Sequence, residues 1–313
     1  QCPATETGVT INSVGCQITN VPDDGFEQFL IDSGYDDILD DYVLTENINH
    51  ITNIDMFQIN ITDLTGIEDF TALTRFYFFQ NITSLNSLDL SQNLNLTELI
   101  LIYSGLNSIE VSNFPSIENI RIQGNNFQNG ISIQNNPNLR SVYFEDVRGV
   151  DNINISGNPK LDGIGWMDLD VMSLTVSNNN SLRSIFGEGF EGNIDVLDLS
   201  SNPNLEEINI VISSLGNISL MVTSSLTKLK TIVVNVLGLV SLDVSDNIVL
   251  ETLDISGTMI SSLDVSNNSM LNNLNVAGTD NLDCIRVSQQ QFDNIPINWN
   301  KDPGDTYSLD CSP

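Results

Sequence analysis

The chain has 313 residues, with 41 acidic and 10 basic side chains and a formal net charge of −31 at pH 7. Such a surface repels phosphates, which argues against nucleic acid and anionic membranes as partners. Apolar residues make up 40% of the sequence, too many for a disordered acidic chain. No run approaches the roughly 18 apolar residues that a membrane helix needs.

Residues 1–50 are predicted to form an N-terminal cap. The chain starts with Gln1 rather than Met, as expected of a mature or trimmed product. A short helix is predicted over residues 23–34, where Asp23 or Asp24 can act as the N-cap. Its apolar side consists of Phe26, Phe29 and Leu30. Such a helix would close the open end of a repeat array.

Residues 51–283 carry a repeat of 21 to 24 residues. The frame L-x-x-L-x-L begins at Leu73, Leu96, Ile117, Leu139, Leu161, Leu182, Leu205, Leu229, Leu250 and Leu271. The fourth and sixth positions are large and apolar in every repeat except at Gly187, which stands one repeat after Trp166. We expect Gly187 to lie beside Trp166 in the stack, so that a small residue compensates for a large one.

A second, weaker apolar frame is nested halfway through each repeat, with inward pairs such as Ile109/Val111, Leu197/Leu199 and Ile218/Leu220. Each turn is therefore predicted to contain two short parallel strands on opposite walls of a flat coil. An asparagine recurs after the second strand and is expected to bond the backbone from turn to turn. These asparagines are Asn93, Asn136, Asn158, Asn179, Asn202, Asn247 and Asn268.

The repeat resembles the leucine-rich repeat in a short form with a second "LDLSxN" half. The best matches are "LETLDISGTMISSLDVSNN" (250–268) and "LNNLNVAGTDNLDCI" (271–285). The opening "VPDDGFEQFLIDSGYDDILDDYVLT" (21–45) is similar to the start of secreted leucine-rich-repeat proteins of Bacteroidetes bacteria. The resemblance implies a mainly-β repeat solenoid that is secreted or lies on the outer cell surface.

The four cysteines lie at the two ends of the chain. Three pairings are possible, and proximity in sequence favours the disulfides Cys2–Cys16 and Cys284–Cys311. Disulfides imply an oxidising compartment outside the cytoplasm. Residues 284–313 are predicted to be the C-terminal cap, in which Phe292, Ile295, Ile297 and Trp299 would cover the last turn.

The outward positions of the first strands are varied and rich in aromatic residues. We call them the variable face, predict that they bind a ligand, and define them as Tyr77, Phe79, Ile100, Ile102, Tyr103, Arg121, Gln123, Tyr143, Glu145, Asp168, Phe186, Glu188, Val211, Val233 and Asn235. Exposed aromatic residues in a contiguous row usually mark a contact site. A further outward column just after these strands is expected at Gln80, Tyr103, Asp146, Asp168, Ile212 and Val236.

The outward positions of the second strands form a plain polar column. They are Asp89, Glu110, Ser132, Asn154, Thr175, Asp198, Ser219, Asp243 and Asp264. The contrast between the two walls is the main argument that the variable face has a function, and surface variation without function is the alternative.

The sequence gives little support for catalysis. His50 is the sole histidine, which argues against a catalytic triad or a histidine metal site. Glu145, Asp146, Asp168 and Glu188 are predicted to lie on consecutive turns, but an open wall lacks the cleft that glycoside hydrolysis needs. We expect no enzyme activity, cofactor or metal site, with bound Ca²⁺ at these carboxylates or at "GYDDILDDY" (34–42) as the alternative.

The sequence thus predicts a secreted or cell-surface recognition protein whose partner is a protein on a neighbouring or host cell. Tyr77, Phe79, Tyr103, Tyr143 and Phe186 would be its anchors. Arg121, Glu145, Asp168 and Glu188 would be its polar specificity groups. The alternatives are binding of an extracellular glycan, on which aromatic faces can stack, and a structural or adhesion spacer without a specific ligand.

Overall fold

The computed structural model describes residues 10–80, 85, 87–190, 193–211 and 217–311. Within them the chain coils into a solenoid whose main element is a parallel sheet of twelve strands. These strands are Asn53–Phe57, Arg75–Phe79, Glu98–Ile102, Asn119–Gln123, Ser141–Val150, Gly163–Val171, Ser184–Phe190, Glu207–Val211, Thr231–Asn235, Thr252–Asp254, Asn273–Asn275 and Trp299–Asn300. They pair in chain order, with one strand from each turn.

The opposite wall is built from shorter parallel strands in three groups. The first group is Ile109–Ser112, Ile131–Gln134, Ile153–Ser156 and Leu174–Ser177; the second is Asn193–Asp198, Asn217–Val222 and Ser241–Leu242; the third is Leu263–Asp264, Cys284–Arg286 and Thr306–Ser308. The prediction of two strands per turn is thereby confirmed for the turns that contain both.

The core lies between the two walls and runs continuously from Val21 to Trp299. All ten first positions of the predicted frame are buried, as are the fourth and sixth positions. Trp166 pairs with Gly187 across the sheet. A Cβ atom on Gly187 would come within 2.1 Å of Trp166 Cε2, so the predicted compensation in volume is confirmed.

The predicted asparagine ladder is also confirmed, since all seven asparagines are buried. Asn158 shows the pattern: its Oδ1 accepts from the Asn136 amide at 3.0 Å, and its Nδ2 donates to the Ile133 carbonyl at 3.1 Å. Phe114 and Leu226 occupy the corresponding position in two turns, so the ladder has two apolar interruptions.

The register of the opposite wall differs from the prediction in one turn. Ile218 is buried as predicted, but the second inward position, expected at Leu220, is taken by Met221, which is buried and pairs with Leu197 and Leu242. The reason is that this turn has 24 residues, and the pairing places its extra residues ahead of Met221. Asp198 therefore pairs with Val222 rather than Ser219.

The N-terminal end is closed as expected. Helix α1 spans Asp24–Asp32 and is capped by Asp23, whose Oδ1 accepts from the amides of Gly25 and Phe26. Phe26 and Leu30 are fully buried on its inner side. The other elements of this end are the antiparallel strands Ile18–Asn20 and Tyr42–Leu44, helix α2 (Thr45–Ile48) and a 3₁₀ helix (Ile67–Asp69).

The C-terminal end differs in part from the prediction. The Cys284–Cys311 disulfide is present, with the Cα atoms 5.8 Å apart, whereas the Cys2–Cys16 pairing involves Cys2, which lies outside the described residues. Trp299 is buried and forms the last strand of the long sheet. Phe292, Ile295 and Ile297 are exposed and do not cover the last turn.

Helix α3 (Gln289–Asp293) takes part in closing that end. Its Gln291 is buried, and its Nε2 donates at 3.1 Å to the carbonyls of Val265 and Asn268. Gln291 thus continues the asparagine ladder by one step, where the apolar side chains were expected to act. None of the helices in the described ranges is long and apolar enough to cross a membrane.

Candidate functional site

The variable face is one continuous surface because the strands of the long sheet pair without offset along it. One column runs in register through Tyr77, Ile100, Arg121, Tyr143, Gly165, Phe186, Asn209 and Val233. The second runs through Phe79, Ile102, Gln123, Glu145, Met167, Glu188, Val211 and Asn235. Successive side chains in a column are about 4.8 Å apart.

All fifteen predicted residues of the variable face are at least partly exposed. Ile100 and Ile102 illustrate this placement, since the alternating Leu99 and Leu101 are fully buried while the isoleucines lie on the outer side. Ile100 lies between Tyr77 and Arg121 in the first column. Ile102 lies between Phe79 and Gln123 in the second column. Both isoleucines are therefore apolar groups on the surface.

The N-terminal end of the face is an aromatic cluster. The rings of Phe57 and Tyr77 lie 4.9 Å apart, and those of Phe79 and Tyr103 lie 6.3 Å apart. The Arg75 guanidinium lies 5.4 Å from the Tyr77 ring centre, a cation–π distance. Arg75 is itself held by ion pairs to Glu98 and Asp55, so the rings have fixed neighbours.

The middle of the face is a polar network around Arg121. Its Nη2 donates to Glu145 Oε2 at 2.6 Å, and Gln123 Nε2 donates to Glu145 Oε1 at 3.1 Å. The Arg121 guanidinium lies 5.7 Å from the Tyr143 ring centre. Partial burial, and after it the Glu145 carboxylate, raise the pKa of the Tyr143 phenol. Tyr143 is therefore a neutral hydrogen-bond donor across the physiological pH range.

The carboxylates near this network do not converge on one point. Glu145 is paired with Arg121, and Asp146 accepts from Arg148 Nε at 2.6 Å. Among the described residues, the carboxylates that come within 4.8 Å of one another, as metal ligands would, are those of Asp24, Glu27 and Asp41 in the N-terminal cap. The alternative of Ca²⁺ at Glu145, Asp146, Asp168 and Glu188 is therefore not supported, because two of the four already have cationic partners.

The C-terminal end of the face is smaller and more polar. Phe186 and Val211 are its exposed apolar groups, whereas Asn235 donates to Asp254 Oδ1 at 3.0 Å and to Ser256 Oγ at 2.9 Å. Although partial burial raises the pKa of Asp254, hydrogen bonds from Ser256, Asn275 and Asn235 outweigh that effect and lower it. Asp254 therefore stays ionised and fixes Asn235.

The column that follows the strands is only partly outward. Tyr103, Asp146 and Asp168 have left-handed backbones (φ 50°, 50° and 54°) and are at least partly exposed. Gln80 and Val236 were expected to be outward and are fully buried, which corrects the prediction. Ile212 lies outside the described residues.

Four of the nine residues in the polar column of the opposite wall have a structural explanation. In the recurring sequence Asp-x-Ser, the aspartate Oδ1 accepts from the serine amide two residues later, at 2.9 Å in the pairs Asp89/Ser91, Asp198/Ser200, Asp243/Ser245 and Asp264/Ser266. These aspartates close the bend of the chain. No corresponding bend-closing role applies to the aromatic residues of the variable face.

Two exposed residues of the face lie outside the fifteen predicted ligand-binding residues, although Met167 was expected to point outward. Phe57 is 56% exposed and belongs to an additional first turn, in which Ile51, Ile54 and Met56 are the buried positions. Ile51 precedes Leu73 by 22 residues and fits the frame, so the spacing alone could have revealed this turn. Met167 is 40% exposed and lies between Glu145 and Glu188 in the second column.

Comparison with known proteins shows the fold of the chain but not its partner or its binding site. No protein-family model matches the chain, and no curated protein sequence matches it. The functional domain of InlJ from Listeria monocytogenes, which includes a cysteine ladder, is similar to the chain with 22% identity and a TM-score of 0.53. The match covers 89% of this chain and 63% of that domain.

A second similar structure is the internalin InlF from Listeria monocytogenes, with 15% identity, a TM-score of 0.43 and coverage of 93% of this chain and 96% of InlF. The InlJ match, with the buried repeat frame and the parallel pairing, establishes the architecture. The chain is a mainly-β parallel solenoid of leucine-rich repeats, and its fold is similar to that of the functional domain of InlJ.

Proposed function

We propose that this protein recognises a protein partner through the variable face, to which we add Phe57 and Met167. The observation that carries the proposal is the difference between the two walls of one scaffold. Four aspartates of the opposite wall close bends of their own chain, whereas the aromatic and apolar groups of the variable face stand in register and are at least partly exposed. Contiguous exposed aromatic groups are typical of contact sites.

The size of the face fits a protein partner. The fifteen predicted residues belong to eight neighbouring strands, which span about 35 Å at the usual strand spacing. That length is comparable to an interface of standard size. The face is also preorganised, because Arg75, Arg121 and Asn235 are held by neighbouring carboxylates, so little side-chain freedom is lost on binding.

The proposed interaction is binding without catalysis, outside the cytoplasm. The carboxylate Glu145 is neutralised by Arg121, and the face is an open sheet surface without an enclosing cleft. The Cys284–Cys311 disulfide supports a secreted or cell-surface location, where disulfides persist. The sequence resemblance to secreted leucine-rich-repeat proteins of Bacteroidetes supports the same location, and an origin in such bacteria is part of this proposal.

The test is a binding experiment with matched variants. Purified protein is immobilised and exposed to surface-protein extracts of neighbouring bacteria and host cells, and in parallel to a glycan array. We expect saturable binding to a protein component that falls at least tenfold for Phe79→Ala and for Ile102→Ala. The control is Ile248→Ala, which truncates an isoleucine that is 56% exposed but lies off the face.

Three results would contradict the proposal. Ile248→Ala could weaken binding as much as Ile102→Ala does, which would mean that the face is not the site. Binding to glycans alone, lost in Phe79→Ala, would favour the carbohydrate alternative, in which the paired rings stack on sugars. Absence of saturable binding in both assays would favour the structural spacer.

A further inference from the structure

The geometry points to a Ca²⁺ site in the N-terminal cap, formed by the carboxylates of Asp24, Glu27 and Asp41. Each residue offers an oxygen atom, and the three oxygens lie within 4.8 Å of one another. The site is far from the variable face in sequence and does not depend on the proposed binding function.

Local structure explains how the three side chains meet. Asp24 and Glu27 are three residues apart in the first turn of α1, so they lie on the same side of the helix. Asp41 lies in the segment that returns to the helix, where it has a left-handed backbone (φ 68°). Its carbonyl accepts from the Val21 amide at 2.8 Å, which holds the segment beside the start of α1.

Glu27 is the decisive residue because it is fully buried and only half satisfied. Its Oε1 accepts from the amides of Asp40 at 2.9 Å and Tyr42 at 3.2 Å. Its Oε2 is buried and has no hydrogen-bond partner in the described structure. A buried carboxylate oxygen without a partner is costly, and a cation shared with Asp24 and Asp41 would supply the missing partner.

No side chain of this region offers the missing charge. Residues 1–74 contain 14 acidic residues and neither lysine nor arginine. Within the described residues, the recorded ion pairs do not include Asp24, Glu27 or Asp41. The start of α1 favours nearby negative charge through its dipole, which accounts for Asp24 and Glu27 in the first turn but not for Asp41 or for a buried oxygen without a partner.

The donor set favours Ca²⁺ over other ions. All three groups are carboxylates, the hard oxygen donors that Ca²⁺ and Mg²⁺ prefer over the nitrogen and sulfur donors typical of Zn²⁺. Oxygens bound to one Ca²⁺ at about 2.3–2.6 Å can lie up to about 5 Å apart, which the 4.8 Å limit satisfies. The irregular placement on a helix and a loop suits the flexible geometry of Ca²⁺ rather than the strict octahedron of Mg²⁺.

The expected effect of Ca²⁺ is to fasten the cap. The ion would join α1 to the segment that leads into strand Tyr42–Leu44. That strand pairs with Ile18–Asn20, and α1 packs Phe26 against Phe70 of the first turns, with ring centres 6.2 Å apart. Ca²⁺ binding and stability of the N-terminal end are therefore coupled.

The test is titration of the full chain with CaCl₂ by calorimetry, after treatment with a chelator. We expect one Ca²⁺ per chain and a rise in Tm on binding. Asp24→Asn and Asp41→Asn each remove one exposed ligand and should weaken binding at least tenfold. Asp37→Asn, which removes an exposed charge of the same segment outside the trio, is the matched control and should bind like the wild type.

The difference in Tm between Asp41→Asn and the wild type should change sign when Ca²⁺ is added, which separates loss of a ligand from a folding defect. Without Ca²⁺, Asp41→Asn should have a higher Tm than the wild type, because it relieves repulsion between carboxylates. With saturating Ca²⁺, the wild type should have the higher Tm. The inference is overturned if the wild type takes up no Ca²⁺ at millimolar concentration, or if Asp37→Asn loses as much affinity as Asp41→Asn.

Discussion

At the scale of single residues, two glycines make room for a large side chain at the same position of the preceding turn. Gly187 makes room for the Trp166 ring, and Gly124 does the same for Tyr103, whose ring would lie 2.1 Å from a Cβ atom at position 124. Gly124 also has a left-handed backbone (φ 63°), which favours glycine. Neighbours in space therefore decide which substitutions the stack tolerates.

We predict that Gly187→Ala lowers the free energy of unfolding by about 1–3 kcal/mol, because the added methyl group overpacks the core against Trp166. Chemical denaturation measures the change. The control is Gly304→Ala, since a Cβ atom there meets nothing within 4 Å. The double variant Trp166→Leu/Gly187→Ala should be less destabilised than the sum of its single changes; additive effects would refute a direct clash.

A second prediction concerns acid stability. The pKa of Asp254 is lowered in the folded state, so its hydrogen bonds stabilise the fold above the ordinary aspartate pKa. This contribution is lost as the pH falls through the folded pKa. Asp254→Ala should therefore lose stability at pH 7 but show a shallower loss than the wild type as the pH falls below the ordinary aspartate pKa of 3.8. Tm measured against pH tests this prediction.

The comparison for that experiment is Asp280→Ala, which removes an exposed carboxylate from a nearby turn. Its pH profile should run parallel to that of the wild type. If the two variants show the same profile, the hydrogen bonds of Asp254 do not contribute to acid stability.

Side-chain direction was predictable within strands and failed just beyond them. Alternation placed Ile100 and Leu101 correctly on opposite sides. It failed at Gln80 and Val236, which are buried, because the direction of a side chain after a strand depends on whether the backbone turns left-handed. Tyr103, which directly follows strand Glu98–Ile102, adopts that turn, and a single sequence contains no strong signal for it when the residue is not glycine.

At the scale of the repeating elements, the asparagine ladder joins the bends of successive turns. We predict that Asn158→Ala lowers the free energy of unfolding by about 2–4 kcal/mol, because the Asn136 amide and the Ile133 carbonyl lose buried partners. Chemical denaturation measures it. Asn180→Ala, on the exposed side of the next bend, should change stability by less than about 0.5 kcal/mol.

If Asn158→Ala and Asn180→Ala lose similar stability, the ladder is not a major stabilising element.

The interruptions at Phe114 and Leu226 limit the role of the ladder, since apolar side chains fill the same position in those turns. They pack in the core and are both buried, so an apolar residue large enough to fill the space is tolerated there, whereas alanine at Asn158 leaves both a gap and unpaired backbone groups.

The repeat elements were the most predictable part of the molecule. Ten frames identified ten buried turns, because the apolar spacing is regular and stacking tolerates few exceptions. The first turn, at Ile51, was missed although its spacing fits. The register around Met221 was wrong because sequence spacing does not show where a longer turn accommodates its extra residues.

At the scale of the whole molecule, the solenoid depends on its ends. The Cys284–Cys311 bridge joins residues 27 apart, for which chain entropy predicts a stabilisation of about 3–4 kcal/mol. We predict that Cys284→Ser/Cys311→Ser speeds amide hydrogen exchange in strands Cys284–Arg286 and Thr306–Ser308, which pair with each other. Mass spectrometry of exchanged peptides measures this effect.

The hydrogen-exchange experiment has an internal control in a strand far from the disulfide. Strand Asn119–Gln123 lies many turns away, and each turn contacts only its neighbours, so its exchange should be unchanged. Equal acceleration in both regions would show that the solenoid opens as one cooperative unit and would contradict the local role of the bridge.

The architecture of the whole molecule was predictable and its ligand was not. Repetition fixes the stack, so the two walls could be derived from the spacing of the repeats, whereas the first turn was missed and the C-terminal end was predicted only in part. The candidate face could be located because it departs from the plain pattern, but the identity of a partner depends on complementarity that one sequence does not contain. The carboxylate trio in the cap also escaped prediction in detail, since Asp24 and Glu27 meet Asp41 only through the tertiary fold.

Because each turn is one contiguous piece of chain, the molecule can grow by whole turns. An in-frame duplication of residues 139–160, which carry Tyr143 and Glu145, would insert a second copy of both groups beside the first. The pairing of all other strands would be unchanged, and the molecule would lengthen by about 4.8 Å. Gene duplication can therefore alter the reach of this protein in fixed steps, independently of point substitutions that alter its chemistry.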